Sequence, residues 1–223
     1  MRRPGPAAVM AKTINRARIR GVGEVGQLFV GRARELWFSQ ETLVFLVRPS
    51  DGERASAPGL KLREATASDG PRYAADIGTD SPRTFRARLS RTSRCFVVVS
   101  DGMFVHATWL TAEGAWTREL RAMLRPPAGD AYVYESFTRP EMRGRGVYPF
   151  ALNEIAGWAS DHVLRKVWVA VEGDNASSLR AVSKAGFRPA GEVRYRRSQG
   201  RFAIETSELE GSGFTIETSP WVL

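Results

Sequence analysis

The chain of 223 residues has one cysteine, Cys95, and two histidines, His106 and His162. A lone cysteine excludes an intramolecular disulfide and any multi-cysteine metal centre. Two histidines without ligand-like spacing give no expectation of a metal site. No stretch approaches the roughly 18 unbroken apolar residues that a membrane-spanning helix needs. No apolar run of the secretory type follows Met1-Arg2-Arg3, so a cytoplasmic location is expected. Acidic side chains are also in short supply: 24 Asp and Glu against 33 Lys and Arg leave a formal net charge of +9. The excess is arginine, spread along the chain and not gathered in a block, which reads as a compositional habit. A polyanionic cofactor, an acidic carrier protein or nucleic acid would suit such charge. The sequence carries no helix-turn-helix, RNA-binding aromatic motif or zinc finger, and nucleic acid is not expected as a partner.

What the chain does carry is a closely ordered stretch over residues 132–187. An apolar strand pattern gives way to a helix pattern at Arg143-Gly144-Arg145-Gly146-Val147-Tyr148. Pro149 suits a first helical turn, where its missing N–H costs nothing. Val147, Ala151, Ile155 and Trp158 then recur at helical spacing, which predicts a helix with one buried face. Two glycines between arginines at such a helix start build a positive, backbone-lined concavity suited to a phosphate or diphosphate. Residues 166–171 are nearly all apolar and predict a strand covered on both faces. Asp174 or Asn175 can cap the short helix that follows, and Gly186 can close it in a left-handed conformation.

Short strands dominate elsewhere. Residues 60–66 alternate apolar and polar and predict a half-buried strand. Residues 94–99 and 103–110 flank Ser100-Asp101-Gly102, a hairpin signal because Asp-Gly tolerates positive φ. Cys95 and His106 fall in this hairpin and read as an inert buried thiol and a hydrogen-bonded sheet histidine. Residues 192–196 and 202–206 predict a second hairpin. Three regions are expected. Residues 1–58 form an extension with a basic amphipathic helix over 8–36, weakened by four glycines, then a strand over 42–48 and a linker over 49–59. Residues 59–206 form the main domain, and 207–223 a tail whose Phe214, Ile216, Trp221 and Val222 are docking candidates. The extension suits packing on its own domain, or docking to a partner or a membrane surface.

The spacing from Arg143 through Gly146 to Tyr148 resembles the diphosphate signature of the GNAT superfamily of N-acyltransferases, which reads Arg or Gln, two residues, Gly, one residue, then Gly or Ala. Only Tyr148 departs from it. Asn175 with Ser178, followed by Lys184-Ala185-Gly186-Phe187, resembles the second signature of that family. The resemblance runs over about residues 60–206. It implies an α/β (α+β) fold with a central mixed, mostly antiparallel twisted sheet flanked by helices, in which two neighbouring strands splay to form a coenzyme A cleft. It implies acetyl-CoA or another acyl-CoA as co-substrate, no metal, and acyl transfer to the primary amine of a small molecule such as an amino sugar or amino acid. A homodimer is an allowed assembly.

By the same resemblance, Arg143, Gly144, Arg145, Gly146, Val147 and Tyr148 hold the diphosphate. The strand ending Ser136-Phe137-Thr138 bonds the pantetheine arm and thioester, and Asn175 and Ser178 also contact the cofactor. Two acid-base positions of the family are vacant. A tyrosine seven residues after the asparagine is Val182 here, and a glutamate five residues before it is Ala170. The catalytic candidates that remain are Glu135, beside the donor site, Glu172, on the strand face of Ala170, and Tyr148, whose hydroxyl is a second proton donor to consider. The vacancies also motivate a second reading, a module that binds acyl-CoA without transfer. The positive charge motivates a third, in which acyl-carrier protein or aminoacyl-tRNA is the donor.

Overall fold

Strand parity builds the core. In Ser39–Pro49 (β1) the side chains of Leu43 and Phe45 join one apolar cluster and that of Leu46 another, because successive residues leave a strand on opposite faces. The computed structural model describes residues 39–218 apart from 52, 53, 55, 118, 119, 199, 200, 208 and 210. The helix expected over 8–36, and Trp221 and Val222, lie outside the described residues.

After β1 come Lys61–Glu64 (β2), helices Gly70–Asp76 (α1) and Pro82–Arg88 (α2), and strands Ser93–Ser100 (β3), Met103–Thr111 (β4), Ala115–Thr117 (β5), Ala122–Arg125 (β6) and Ala131–Thr138 (β7). Helix Val147–Asp161 (α3), strand Lys166–Glu172 (β8), helix Ala176–Lys184 (α4) and strands Arg188–Ser198 (β9), Arg201–Ser207 (β10) and Thr215–Thr218 (β11) complete the order. Among the described residues, eight strands form one sheet in the order β10-β9-β1-β8-β7-β4-β3-β2, and β11-β6-β5 form a second. Every pair in the large sheet is antiparallel except β7 with β8. The expected mixed, mostly antiparallel sheet flanked by helices is therefore present.

One face of the large sheet, with Val133, Val167, Val169 and Val171, packs on Leu152, Ile155 and Ala159 of α3 and Val182 of α4. On the other face Phe45, Tyr132 and Trp168 meet Leu124 of the small sheet and Phe214. Beside them Tyr73, Ile77 and Phe85 of the α1–α2 region cover Val97, Ala107 and Trp109. Asp101 at φ 46° and Gly102 at φ 74° are both left-handed, so the β3–β4 hairpin turns as its Asp-Gly pair requires. No helix among the described residues is long and apolar enough to cross a membrane.

The first strand departs from the sequence reading, which placed it in an extension ahead of the domain. β1 lies inside the large sheet, pairing with β8 from Leu43 opposite Glu172 to Pro49 opposite Lys166, and with β9 on its other side. Its unbroken run Leu43-Val44-Phe45-Leu46-Val47 suits a strand covered on both faces. The linker-like composition that follows concealed this. The segment after β10 is also part of the core: Phe214 lies 5.0 Å from Phe45 and 5.2 Å from Trp168 between ring centroids.

Candidate active site

The cleft arises where two strands follow different neighbours. β7 and β8 pair only from Ala131 opposite Val167 to Val133 opposite Val169. Beyond that point β8 stays with β1 as far as Glu172, while β7 stays with β4 as far as Thr138. The β4–β7 register shifts between Ala107 and Trp109, and Glu135 takes a left-handed φ of 48°. That is a β-bulge, which bends the strand and re-aims its side chains. Among the described residues, β8 pairs with none of residues 134–138, so this length of β7 faces the fork while β4 holds its other side.

The turn at the start of α3 closes one end of this fork. Gly144 at φ 74° and Gly146 at φ 77° are left-handed, a conformation glycine adopts without strain. A Cβ on either would meet nothing within 4 Å, so the space beyond the turn is open. Gly146 is the N-cap of α3, and its carbonyl accepts from Phe150 N at 3.0 Å. Residues 143–146 form a turn that leads into α3. Arg145 is exposed. Arg143 folds back, its Nε donating to the Thr138 carbonyl at 3.2 Å and its guanidinium 5.9 Å from the Phe137 ring centre.

Other sequence candidates are held by the fold. Val147 is 2% exposed in the core. The Phe137 side chain packs with Trp109 and Phe85, which leaves only its backbone for the cleft. Asn175 Oδ1 accepts from Ser178 N at 3.1 Å and from Ser177 Oγ at 3.0 Å, so Asn175 and the Ser178 amide start α4 together. Glu172 is exposed at the end of β8, on the opposite wall of the cleft from Glu135.

Tyr148 turns inward, where the family pattern has a small residue. Its ring packs at the edge of the α3 core and lies 5.3 Å from that of His106. Its hydroxyl bonds Ser136, and burial pushes its pKa up to about 12. Ser136 Oγ in turn lies 2.6 Å from Thr108 Oγ1, and Thr138 Oγ1 lies 2.7 Å from His106 Nδ1. A polar stripe thus runs beneath the first turn of α3. His106 is fully buried, its Nε2 has no partner in the described structure, and burial pushes its pKa down to about 3. Cys95 is fully buried too, and burial raises its thiol pKa, which keeps it an inert thiol.

Two residues that the sequence reading missed attend Glu135. Arg88 Nη1 donates to Glu135 Oε2 at 2.7 Å and to Asp80 Oδ2 at 2.5 Å. Its guanidinium lies 4.0 Å over the Trp109 ring. Burial alone would lower the Arg88 pKa, but the Glu135 and Asp80 carboxylates raise it, so Arg88 is charged at every working pH. Ser81 places α2, its hydroxyl accepting from Thr84 N at 3.1 Å. In sequence this region is polar and without period, and nothing there marks Arg88 among its neighbouring arginines.

No family model matches the chain, and no curated protein matches it in sequence. Among solved structures the chain is similar to an acetyltransferase of the GNAT family from Novosphingobium aromaticivorans, at 19% identity and a TM-score of 0.51, over 70% of this chain and 63% of that one. It is similar to a conserved protein of unknown function from Staphylococcus epidermidis at 10% identity and a TM-score of 0.51, over 76% of this chain and 65% of that one. Each match spans less than two thirds of the other protein's length. The likeness is one of architecture: the chain has the fold of the GNAT acetyltransferases.

Proposed function

We propose that the protein is an N-acyltransferase that moves an acetyl or other short acyl group from acyl-CoA to the primary amine of a small molecule. The observation that supports this most is the parting of β7 and β8 after Val133 and Val169, beside a glycine turn that opens onto free space at the start of α3. The turn fits a diphosphate: Gly144 and Gly146 leave open space where a Cβ would stand, and a helix start attracts anions. In this reading the amides of residues 144–148 hold the diphosphate, with Arg145 adding charge and Arg143 bracing the turn against β7. The edge of β7 that β8 leaves at Ser136, Phe137 and Thr138 receives the extended pantetheine arm as a sheet edge receives a strand. Asn175 and Ser178 contribute by fixing the start of α4.

Bound acyl-CoA supplies the activated carbonyl. The chain's own contribution is first one of placement, since holding two reactants together removes most of the entropic barrier. Glu135 is the carboxylate that the incoming acceptor meets at the fork, and Glu172, exposed at the end of β8, is the second carboxylate of the site. Tyr148, with its raised pKa and its bond to Ser136, stays a neutral phenol and shapes the floor of the site.

Incubation with acetyl-CoA and a panel of amines, following free thiol, tests the proposal. Absence of turnover with every short acyl-CoA across the panel would overturn it. A second reading, a module that binds acyl-CoA without transfer, has support from Val182, which is fully buried, and from Ala170, which packs against the apolar cluster under the small sheet. Calorimetry showing firm acyl-CoA binding with no turnover would favour that reading.

A further inference from the structure

We infer that the acceptor is a cation beyond its reacting amine, and that Asp80 and Arg88 act as positioning residues that make Glu135 its ammonium-binding group. The inference deepens the acyltransferase reading and rests on it only for the word acceptor. Glu135 sits two residues past Val133, the last residue of β7 paired with β8, so its side chain leaves the sheet at the fork. Its φ of 48° is unusual for a residue with a Cβ, and such strain at a bulge persists where the surrounding structure over-determines it. At this bulge Arg88 Nη1 holds one carboxylate oxygen at 2.7 Å, while 55% of the Glu135 side chain stays exposed.

Arg88 is itself held from behind. Asp80, 4% exposed, takes the same Nη1 at 2.5 Å, and the Trp109 ring lies beneath the guanidinium. The charges decide what this arrangement recognises. Arg88 with Glu135 alone would be neutral, and its guanidinium edge would suit an acceptor carrying a carboxylate. Asp80 adds a second negative charge in a place solvent does not reach, so one guanidinium serves two carboxylates and the group carries a net charge of −1. Of the two carboxylates that share Arg88, only Glu135 is open to solvent, so its oxygens are the ones a ligand meets. An amine with a second ammonium group, such as a diamine, fits this site, and an amino acid with a free carboxylate does not.

Two ligands of equal length separate these outcomes: 1,5-diaminopentane, with a second cation, and 6-aminohexanoate, with an anion in its place. Each is titrated calorimetrically into the whole protein without any acyl donor, so the result does not depend on whether transfer occurs. The wild type is expected to bind the diamine at least tenfold more tightly. Glu135→Gln, at an exposed position where the melting temperature should hold, is expected to remove that preference. Asp80→Asn, if folded, is expected to narrow it while leaving Glu135 in place, a change in selectivity that loss of packing alone would not produce. Equal or inverted binding by the wild type, no binding of either ligand, or an undiminished preference in Glu135→Gln would overturn the inference. A failure here with acetyl transfer intact would leave the acyltransferase reading standing with a different acceptor.

Discussion

His106 and Tyr148 stack beneath the start of α3, their ring centroids 5.3 Å apart and their planes 30° apart. Burial keeps this imidazole neutral, pushing the His106 pKa down to about 3, against about 6.5 in an unfolded chain. Below pH 6.5 the unfolded chain binds a proton that the folded one refuses. The stability tied to neutral His106 is therefore fully present above about pH 6.5 and lost as pH falls toward 3. At pH 4 the loss is about 3 kcal/mol. The thermal midpoint of the wild type should fall more steeply between pH 7 and pH 4 than that of His106→Gln. Equal slopes would show that the imidazole is not responsible.

Gly146→Val places a β-branched residue at φ 77°, which costs about 1–2 kcal/mol of stability. Because the added atoms meet no protein, the strain is conformational and the fold should survive. The new side chain stands where the diphosphate is proposed to bind, and loss of one charge-assisted contact weakens acyl-CoA binding by about tenfold or more. Calorimetry with CoA reads this directly, and unchanged affinity would move the phosphate site elsewhere.

Arg88→Met leaves Asp80, 4% exposed, without its cation. Removing one partner of a buried pair costs about 3–5 kcal/mol, whereas replacing both by neutral groups is often nearly neutral. Arg88→Met should therefore lower the denaturation midpoint sharply, and Arg88→Met combined with Asp80→Asn should recover most of the loss. A double variant no more stable than the single one would show that the pair is not the unit.

Val182→Tyr restores the residue type that the family resemblance expects seven positions after Asn175. Val182 is fully buried among Leu46, Val171 and Phe187, so the larger ring overpacks the core, at a cost of about 1–3 kcal/mol. No gain in thiol release is expected. A rise in kcat would show that this position reaches the cleft.

The elements that the sequence disclosed were those whose local chemistry and tertiary setting agree. Asp101-Gly102 encodes its own turn. Val147, Ala151 and Ile155 mark the buried face of α3, and the apolar run of β8 is covered on both sides as such runs are. The glycine turn was legible because positive φ and open space select one residue type. Asp80 and Arg88 were not, since their meeting with Glu135 depends on how α2 lies across β4 and β7, and a periodless polar segment says nothing of that. Tyr148 stood out as a departure from the family pattern, but its inward direction follows from His106 and Ser136, which come from other strands.

The central position of β1 bears on how the molecule is assembled. Both of its partners, β8 and β9, emerge from the ribosome much later, so the first strand must wait for nearly the whole sheet, and long-range pairing of this kind slows folding. Loss of β1 would leave β8 and β9 with raw facing edges, the sort that recruit other chains into aggregates. Tag placement and limited proteolysis should treat the residues from Ser39 onward as indispensable.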